Sequence, residues 1–358
     1  MRVLFQGAGA IGIAGAALFT DDHHVAVVSR TPAPRPRAVY PRRVSVLDSS
    51  GTQCPVGPAG RGPRDGDLGD DIDDASGSWS GAPADTEVSG QAARGWSVTE
   101  VASTRRVTVT DWVGAREAGR WDLIVLSTRP GDLDPTVASA IRTTRAPVIA
   151  ITSQVDGDLD RARTQFPDAE VVVFGPAFVS ERVADGEVET GREVRYWAPP
   201  GAPRFLINGR RETVTHLAHG LGRLVMPVPH AVIALPPTVF IPYVAELTIG
   251  DGNWAQLTSH LDRPARAAAE AVRARSGLPV PTSAGVARAV SVPLARAVLG
   301  TMETLLPIDV TSYAGRHFGR HVGQTRDMLT GWAAAATAPT ALREQIAALD
   351  ASAAGAIG

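Results

Sequence analysis

Six residues near the start of the chain, GAGAIG at 7–12, limit what it can fold into more than any other stretch. They follow a short apolar run, Arg2 to Phe5, of the right length for a buried strand. An alanine-rich stretch from Ala10 to Phe19 comes next and reads as a helix, and Val25 to Ser29 reads as a second strand. A strand, a glycine turn, a helix and a strand within about thirty residues is the local pattern of a dinucleotide-binding βαβ unit. In such a unit Gly7 permits the tight turn, Gly9 lets backbone approach a diphosphate, and Gly12 lets the helix pack closely on its strand. The amide groups at the helix start, Ala10 and Ile11 among them, then face the phosphates with the helix dipole behind them.

The same stretch indicates which nucleotide. A site for NAD wants a carboxylate at the end of the second strand, where it holds the ribose 2′-hydroxyl. This chain has Ser29 and Arg30 there. A carboxylate repels a 2′-phosphate, whereas a guanidinium clamps it with two hydrogen bonds. The expected cofactor is therefore NADP.

At 358 residues the chain has room for two domains. Its net charge of −2 offers no electrostatic footprint for nucleic acid or for an anionic membrane surface. Cys54 is the only cysteine, so no internal disulfide can form. No charged leader precedes an apolar signal core, and no stretch reads as the ~20 apolar residues that span a bilayer. The expectation is a cytoplasmic protein whose partner is a small molecule, with a homodimer formed through its second domain. The sequence contains no lysine, so all 35 basic residues are arginine.

Beyond Arg30 a proline-rich extended segment leads to a short strand at Val44 to Leu47. From 49 to 103 glycine, proline, serine and aspartate dominate, which reads as a flexible insertion. Its acidic cluster lacks the glycine and glutamate of an EF-hand loop, so no metal is expected. An alternating strand follows at Arg106 to Val113, then a continuous apolar strand at Leu123 to Ser127. Helices at 135–142 and 158–165 alternate with strands at 147–154 and 170–174. The alternation gives an α/β fold class, with an N-terminal doubly wound (Rossmann) parallel sheet over residues 1–190. Ligands of such sheets lie beyond the carboxyl ends of the strands, which puts Arg129 and Ser153 beside the nucleotide. Two strands near 188–196 and 204–207 bridge to the second half. Helical spacing then runs from Val214 onward, with stretches at 239–249, 254–276, 284–306 and 309–334. That makes 191–335 an all-helical domain for substrate and dimerisation, and 336–358 a C-terminal tail bearing a last helix near 340–350.

This layout resembles the ketopantoate reductase family, whose C-terminal domain is like that of 6-phosphogluconate dehydrogenase. The resemblance covers most of the chain outside 49–103. It rests on GAGAIG, on Arg30, on DLIVLSTRP followed by PVIAITSQ, and on PIDVTSYAGRHFGRHVGQTRDML near the end. It implies NADPH-dependent reduction of a 2-oxo acid in a cleft between sheet and helices. It also implies that Gly7, Gly9, Gly12, Arg30 and Arg129 bind cofactor, although the family usually has lysine at the last position. Ser153 stands where the family carries an asparagine near nicotinamide and substrate. The family's catalytic lysine belongs to the region VFIPYVAELTIGDGNW, which holds none, and its downstream carboxylate falls nearest to Asp309.

Reducing a ketone needs a proton for the developing alkoxide, and arginine, with its very high pKa, cannot give one. The remaining candidates are Tyr243 and Glu246 on the lysine-region helix, and Asp309, His317 and His321 later. Tyr313, His317, His321 and Gln324 share one helical face. The reading is an NADPH-dependent reductase of a small carbonyl or imine. An imine arrives protonated and better tolerates the missing acid. The alternative is a protein that keeps the nucleotide fold but has lost redox chemistry.

Overall fold

The structure, a computed structural model, describes residues 1–29, 37–47, 54–55, 86–92, 96–182, 193–199, 201–275, 277–305, 310–311, 313–314 and 322–355, the stretch 37–103 by its backbone alone. The chain opens with β1 (Arg2–Gln6), α1 (Ala10–Phe19) and β2 (His24–Val28). Then come β3 (Arg37–Leu47), β4 (Cys54–Pro55), β5 (Thr86–Ala92), β6 (Trp96–Arg106) and β7 (Val109–Thr110). Next are α2 (Trp112–Glu117), β8 (Leu123–Leu126), α3 (Pro135–Thr144), β9 (Val148–Ile151), α4 (Asp158–Gln165) and β10 (Glu170–Pro176). The first half closes with β11 (Val179–Arg182), β12 (Glu193–Trp197), β13 (Phe205–Asn208), α5 (Arg211–Leu221) and β14 (Val225–Pro227).

The main sheet has eight strands in the order β14-β13-β10-β9-β8-β1-β2-β7. It is parallel except where β13 meets β10. The near-continuous apolar runs of β1, β8 and β9 are what burial on both faces demands. Val3, Phe5, Val125 and Ala150 point to one face, against α1, α5 and β12. Leu4, Ile124, Leu126 and Ile151 point to the other, against α2, α3 and α4. A ring cluster fills the first face: Phe205 lies 5.3 Å from Phe174 and 5.7 Å from Phe19. Gly15 makes room for it, because a Cβ there would stand 2.6 Å from Phe5.

Several expectations change. The sheet half does not stop at 190: β12, β13, β14 and α5 belong to it, so the helical half begins at His230. Of the span 49–103, the described residues form strands of a second, six-stranded sheet, β11-β12-β3-β6-β5 with β4 beside β3. Its long pair joins β3 to β6 antiparallel from Arg37↔Arg106 to Leu47↔Trp96. Pro41 is tolerated inside β3 because the strand's other edge is paired only at 37–39, by β12, and 46–47, by β4, among the described residues. The strand expected through Val113 ends early, since the Asp111 carboxylate accepts the Gly114 N–H at 2.8 Å and caps α2.

The helical half comprises α6 (His230–Ile249), α7 (Trp254–Ser259), α8 (Asp262–Arg275), α9 (Val280–Ala289), α10 (Val292–Leu305), α11 (Val322–Ala335) and α12 (Thr340–Gly355). α6 starts nine residues before the expected 239, running through Pro236, Pro237 and Pro242. It is long and apolar enough, by length and composition, to cross a membrane, with a mean hydropathy of 1.6. Here Pro242 to Leu247 are buried against other helices. The stretches expected at 254–276 and 284–306 are each two helices. The tail expected at 336–358 carries α12, whose Ala341, Leu342 and Leu349 are core residues. Its first amides, Ala341 and Leu342, donate to the Glu270 carboxylate of α8 at 3.1 and 3.0 Å.

Candidate functional site

The turn after β1 has the sterics of a diphosphate cradle. Gly7 holds φ +100°, a left-handed backbone that glycine adopts without strain, and its N–H donates to Val28 O at 3.0 Å. A Cβ on Gly12 would stand 1.9 Å from the carbonyl oxygen of Gly7, so α1 can lie this close to its strand only with glycine there. Ser127 closes the turn from β8, with its Oγ donating to Gln6 O at 2.7 Å. Gly9, the N-cap of α1, is exposed, and a Cβ there would meet nothing within 4 Å. Open space thus faces the start of a ten-residue helix, with Ala10 and Ile11 in its first turn. These are the surroundings that a dinucleotide's diphosphate needs. Ser29 ends β2 with its N–H on Thr110 O at 2.9 Å. Arg30, Asp309, His317 and His321 lie outside the described residues.

β1 and β8 are neighbours from which the connections run to opposite sides, which makes their carboxyl ends the switch point of the sheet. Arg129 and Ser153 stand there, each committed to a partner that the sequence did not reveal. Asp158, only 1% exposed at the start of α4, accepts from Ser153 Oγ at 2.5 Å and from Arg129 Nε at 3.1 Å. A buried carboxylate must be paired to be tolerated, and these contacts supply the pairing. Arg129 also donates from Nη1 to Asp327 of α11 at 2.8 Å, so one guanidinium joins the sheet to the helical half. Burial opposes its charge, but its hydrogen bonds to Asp158 and Asp327 outweigh that and hold its pKa above the ordinary arginine value. Asp327, which takes Nη1, has a side chain that is half exposed.

The two candidates on α6 face inward. Glu246 is clasped by Arg263, with Nε on Oε2 at 2.8 Å and Nη2 on Oε1 at 2.7 Å, and Gln345 Nε2 donates to its Oε2 at 3.3 Å. Buried in this way, it is a brace of the helical core. Tyr243 packs with Leu247, Leu261 and Leu299, and burial pushes its pKa up to about 12. Neither residue lines the cleft between the two halves. Tyr313 sits at the boundary, its hydroxyl donating to Ser180 O at 3.3 Å.

The cleft itself opens at the carboxyl ends of β9 and β10. Ile151, Ser153 and Gln154 form one wall, His230, Ile233, Ala234 and Thr238 of α6 form the other, and Arg275 and Trp332 close it. Sequence reasoning missed this wall, because the prolines at 236 and 237 hid the first turns of α6. His230, at the first position after a proline-rich lead, was the available signal. Among the described residues, no group of three or more His, Cys, Asp or Glu side chains is placed to hold a metal ion.

Solved structures share this architecture. D-mandelate dehydrogenase, in a ternary structure with NADH and anilino(oxo)acetate, aligns over 99% of each chain with a TM-score of 0.55 and 12% identity. The 2-dehydropantoate 2-reductase of Geobacter metallireducens aligns over 98% of this chain and 99% of its own, with a TM-score of 0.56 and 12% identity. 2-Dehydropantoate is ketopantoate, so the fold is the one the sequence resemblance implied. No protein-family model matches the sequence, and no curated protein matches it.

Proposed function

We propose that this chain is an NADP-dependent reductase of a small carbonyl compound, of the 2-oxo acid or imine kind. The observation that carries the reading is the turn at 7–12, where Gly12 admits no Cβ and Gly9 leaves open the space in front of α1. When bound, reduced nicotinamide supplies a hydride. The chain's part is to hold the diphosphate on the first amides of α1, to grip the 2′-phosphate with Arg30, and to seat the substrate in the cleft beside Ser153. The resemblance to ketopantoate reductases and the NADH in a structural neighbour support the cofactor class.

A second reading is favoured by one group of observations: Glu246, Arg129 and Ser153 all have internal partners, and the sequence has no lysine. Under that reading the chain binds nucleotide without redox turnover. Titrating the purified protein with NADPH and NADH while following nicotinamide fluorescence, then adding a panel of 2-oxo acids and imines, separates the two. Binding with oxidation of NADPH supports the first reading; binding with none across the panel supports the second. Arg30→Asp is expected to weaken NADPH about tenfold or more while sparing NADH, since it removes charge-assisted hydrogen bonds. Equal loss for both nucleotides would overturn the choice of NADP.

A further inference from the structure

Among the candidate donors that are described, the reductase reading leaves a proton unaccounted for. Lysine is absent, arginine cannot give one up, and Glu246 and Tyr243 are turned into the helical core. Among the described residues, the cleft holds three charged or titratable side chains: Asp156 from the loop before α4, His230 from the start of α6 and Arg275 from the end of α8. Trp332, the contribution of α11, does not titrate. The chain just past Arg275 returns to His230, since a Cβ on Gly277 would lie 3.8 Å from His230 Nδ1. Histidine and guanidinium therefore flank one opening.

We infer that His230 and Arg275 are the substrate-facing pair of this cleft, for a substrate that carries a carboxylate next to its carbonyl. The inference rests on the reductase reading. Arg275 now pairs with Asp156, Nε to Oδ2 at 3.1 Å, and both side chains are nearly half exposed. An exposed pair of that kind is weak and exchanges readily, whereas a guanidinium holds an incoming carboxylate through two parallel hydrogen bonds. With the acid group seated there, the carbonyl lies in the cleft near His230. A hydride added to the carbonyl carbon drives the π electron pair onto oxygen. The imidazolium N–H bond then breaks as the O–H bond forms, leaving alcohol, neutral imidazole and oxidised nicotinamide. His230 is exposed and regains its proton from water. The carboxylate anchor selects 2-oxo acids over neutral ketones.

Oxamate, an unreactive 2-oxo acid mimic, tests the pair by calorimetric titration into the full-length protein saturated with NADPH. Arg275→Leu is expected to weaken oxamate at least about tenfold with NADPH affinity unchanged. His230→Gln is expected to bind both ligands as wild type does. It should lose about a hundredfold in turnover of 2-oxo acids. Both side chains are exposed, so melting temperatures should hold. Oxamate bound equally well by Arg275→Leu, or not bound by the wild-type NADPH complex, overturns the anchor. A His230→Gln enzyme with unchanged rate, or a wild type that binds oxamate but reduces no 2-oxo acid, overturns the proton donor. Failure of the wild type to bind NADPH at all instead removes the reductase reading on which the pair depends.

Discussion

The glycine turn, after β1, and the cleft, after β9 and β10, sit at strand ends of one sheet with β8 between them, yet they are built on opposite plans. The turn is made by a dozen contiguous residues whose requirements are steric: a left-handed Gly7, a Gly12 pressed on a carbonyl, a Gly9 facing empty space. The cleft is assembled from five segments, 151–159, 173, 230–238, 275 and 332, and Arg275 and Asp156 in it form an exchangeable pair. A binding turn of the first kind tolerates almost no change. A cleft of the second kind can trade residues while the frame around it stands.

The contrast can be attacked from either side. Its largest expected effect is at Gly12→Ala, whose Cβ must displace either α1 or the Gly7 carbonyl; the expected cost exceeds about 3 kcal/mol, read as a fall in the urea midpoint and lost dinucleotide binding. Retained stability would mean that the turn is as adaptable as the cleft. Next comes the frame. Arg263→Leu strands a buried carboxylate and is expected to cost about 3 kcal/mol, most of it recovered when Glu246→Leu is added. A large drop in NADPH turnover at unchanged stability would instead return Glu246 to the chemistry.

Gly9→Ala should cost no more than about 1 kcal/mol, the N-cap preference for glycine over alanine, because φ −89° and ψ −173° suit any residue and the new methyl meets nothing. Dinucleotide affinity should fall about tenfold, since the methyl occupies space the phosphates need. Unchanged affinity would move the diphosphate elsewhere. The smallest effect is alkaline. Tyr243 stays neutral when folded until about pH 12, but its unfolded counterpart ionises near 10. The unfolded chain therefore releases its proton first, and stability, level below about pH 10, falls from there to 12. Melting curves of Tyr243→Phe should fall less over that window, and Tyr313, also pushed up by burial, retains its own share.

What was legible in the sequence follows the same division. Gly7, Gly9 and Gly12 announced themselves, because a local steric rule leaves a mark at fixed spacing. Apolar runs such as Leu123–Leu126 and Val148–Ile151 gave the sheet for a similar reason. Asp158 did not, because what makes it matter is Arg129, 29 residues away, and Asp327, reached through that guanidinium from 198 residues away. Glu246 read as an acid beside a missing lysine, and only its distance to Arg263 shows which way it points. The polar strands β5 and β6 carry too little apolar alternation to stand out from glycine-rich surroundings. The first turns of α6 were masked by prolines that the helix accommodates.

The clasp on α6 also bears on how the chain is made. Gln345 donates to the Pro242 carbonyl at 2.7 Å across 103 residues of sequence. At a synthesis rate of about 5–20 residues per second, the last segment that packs on α6 emerges on the order of 5–20 s after it, with α8 already made. Throughout that interval α6 has the length and hydropathy of a membrane span. Until α12 arrives, the shelter of that face falls to α8, whose Ala265, Ala267, Ala268 and Ala271 pack with the buried turns of α6.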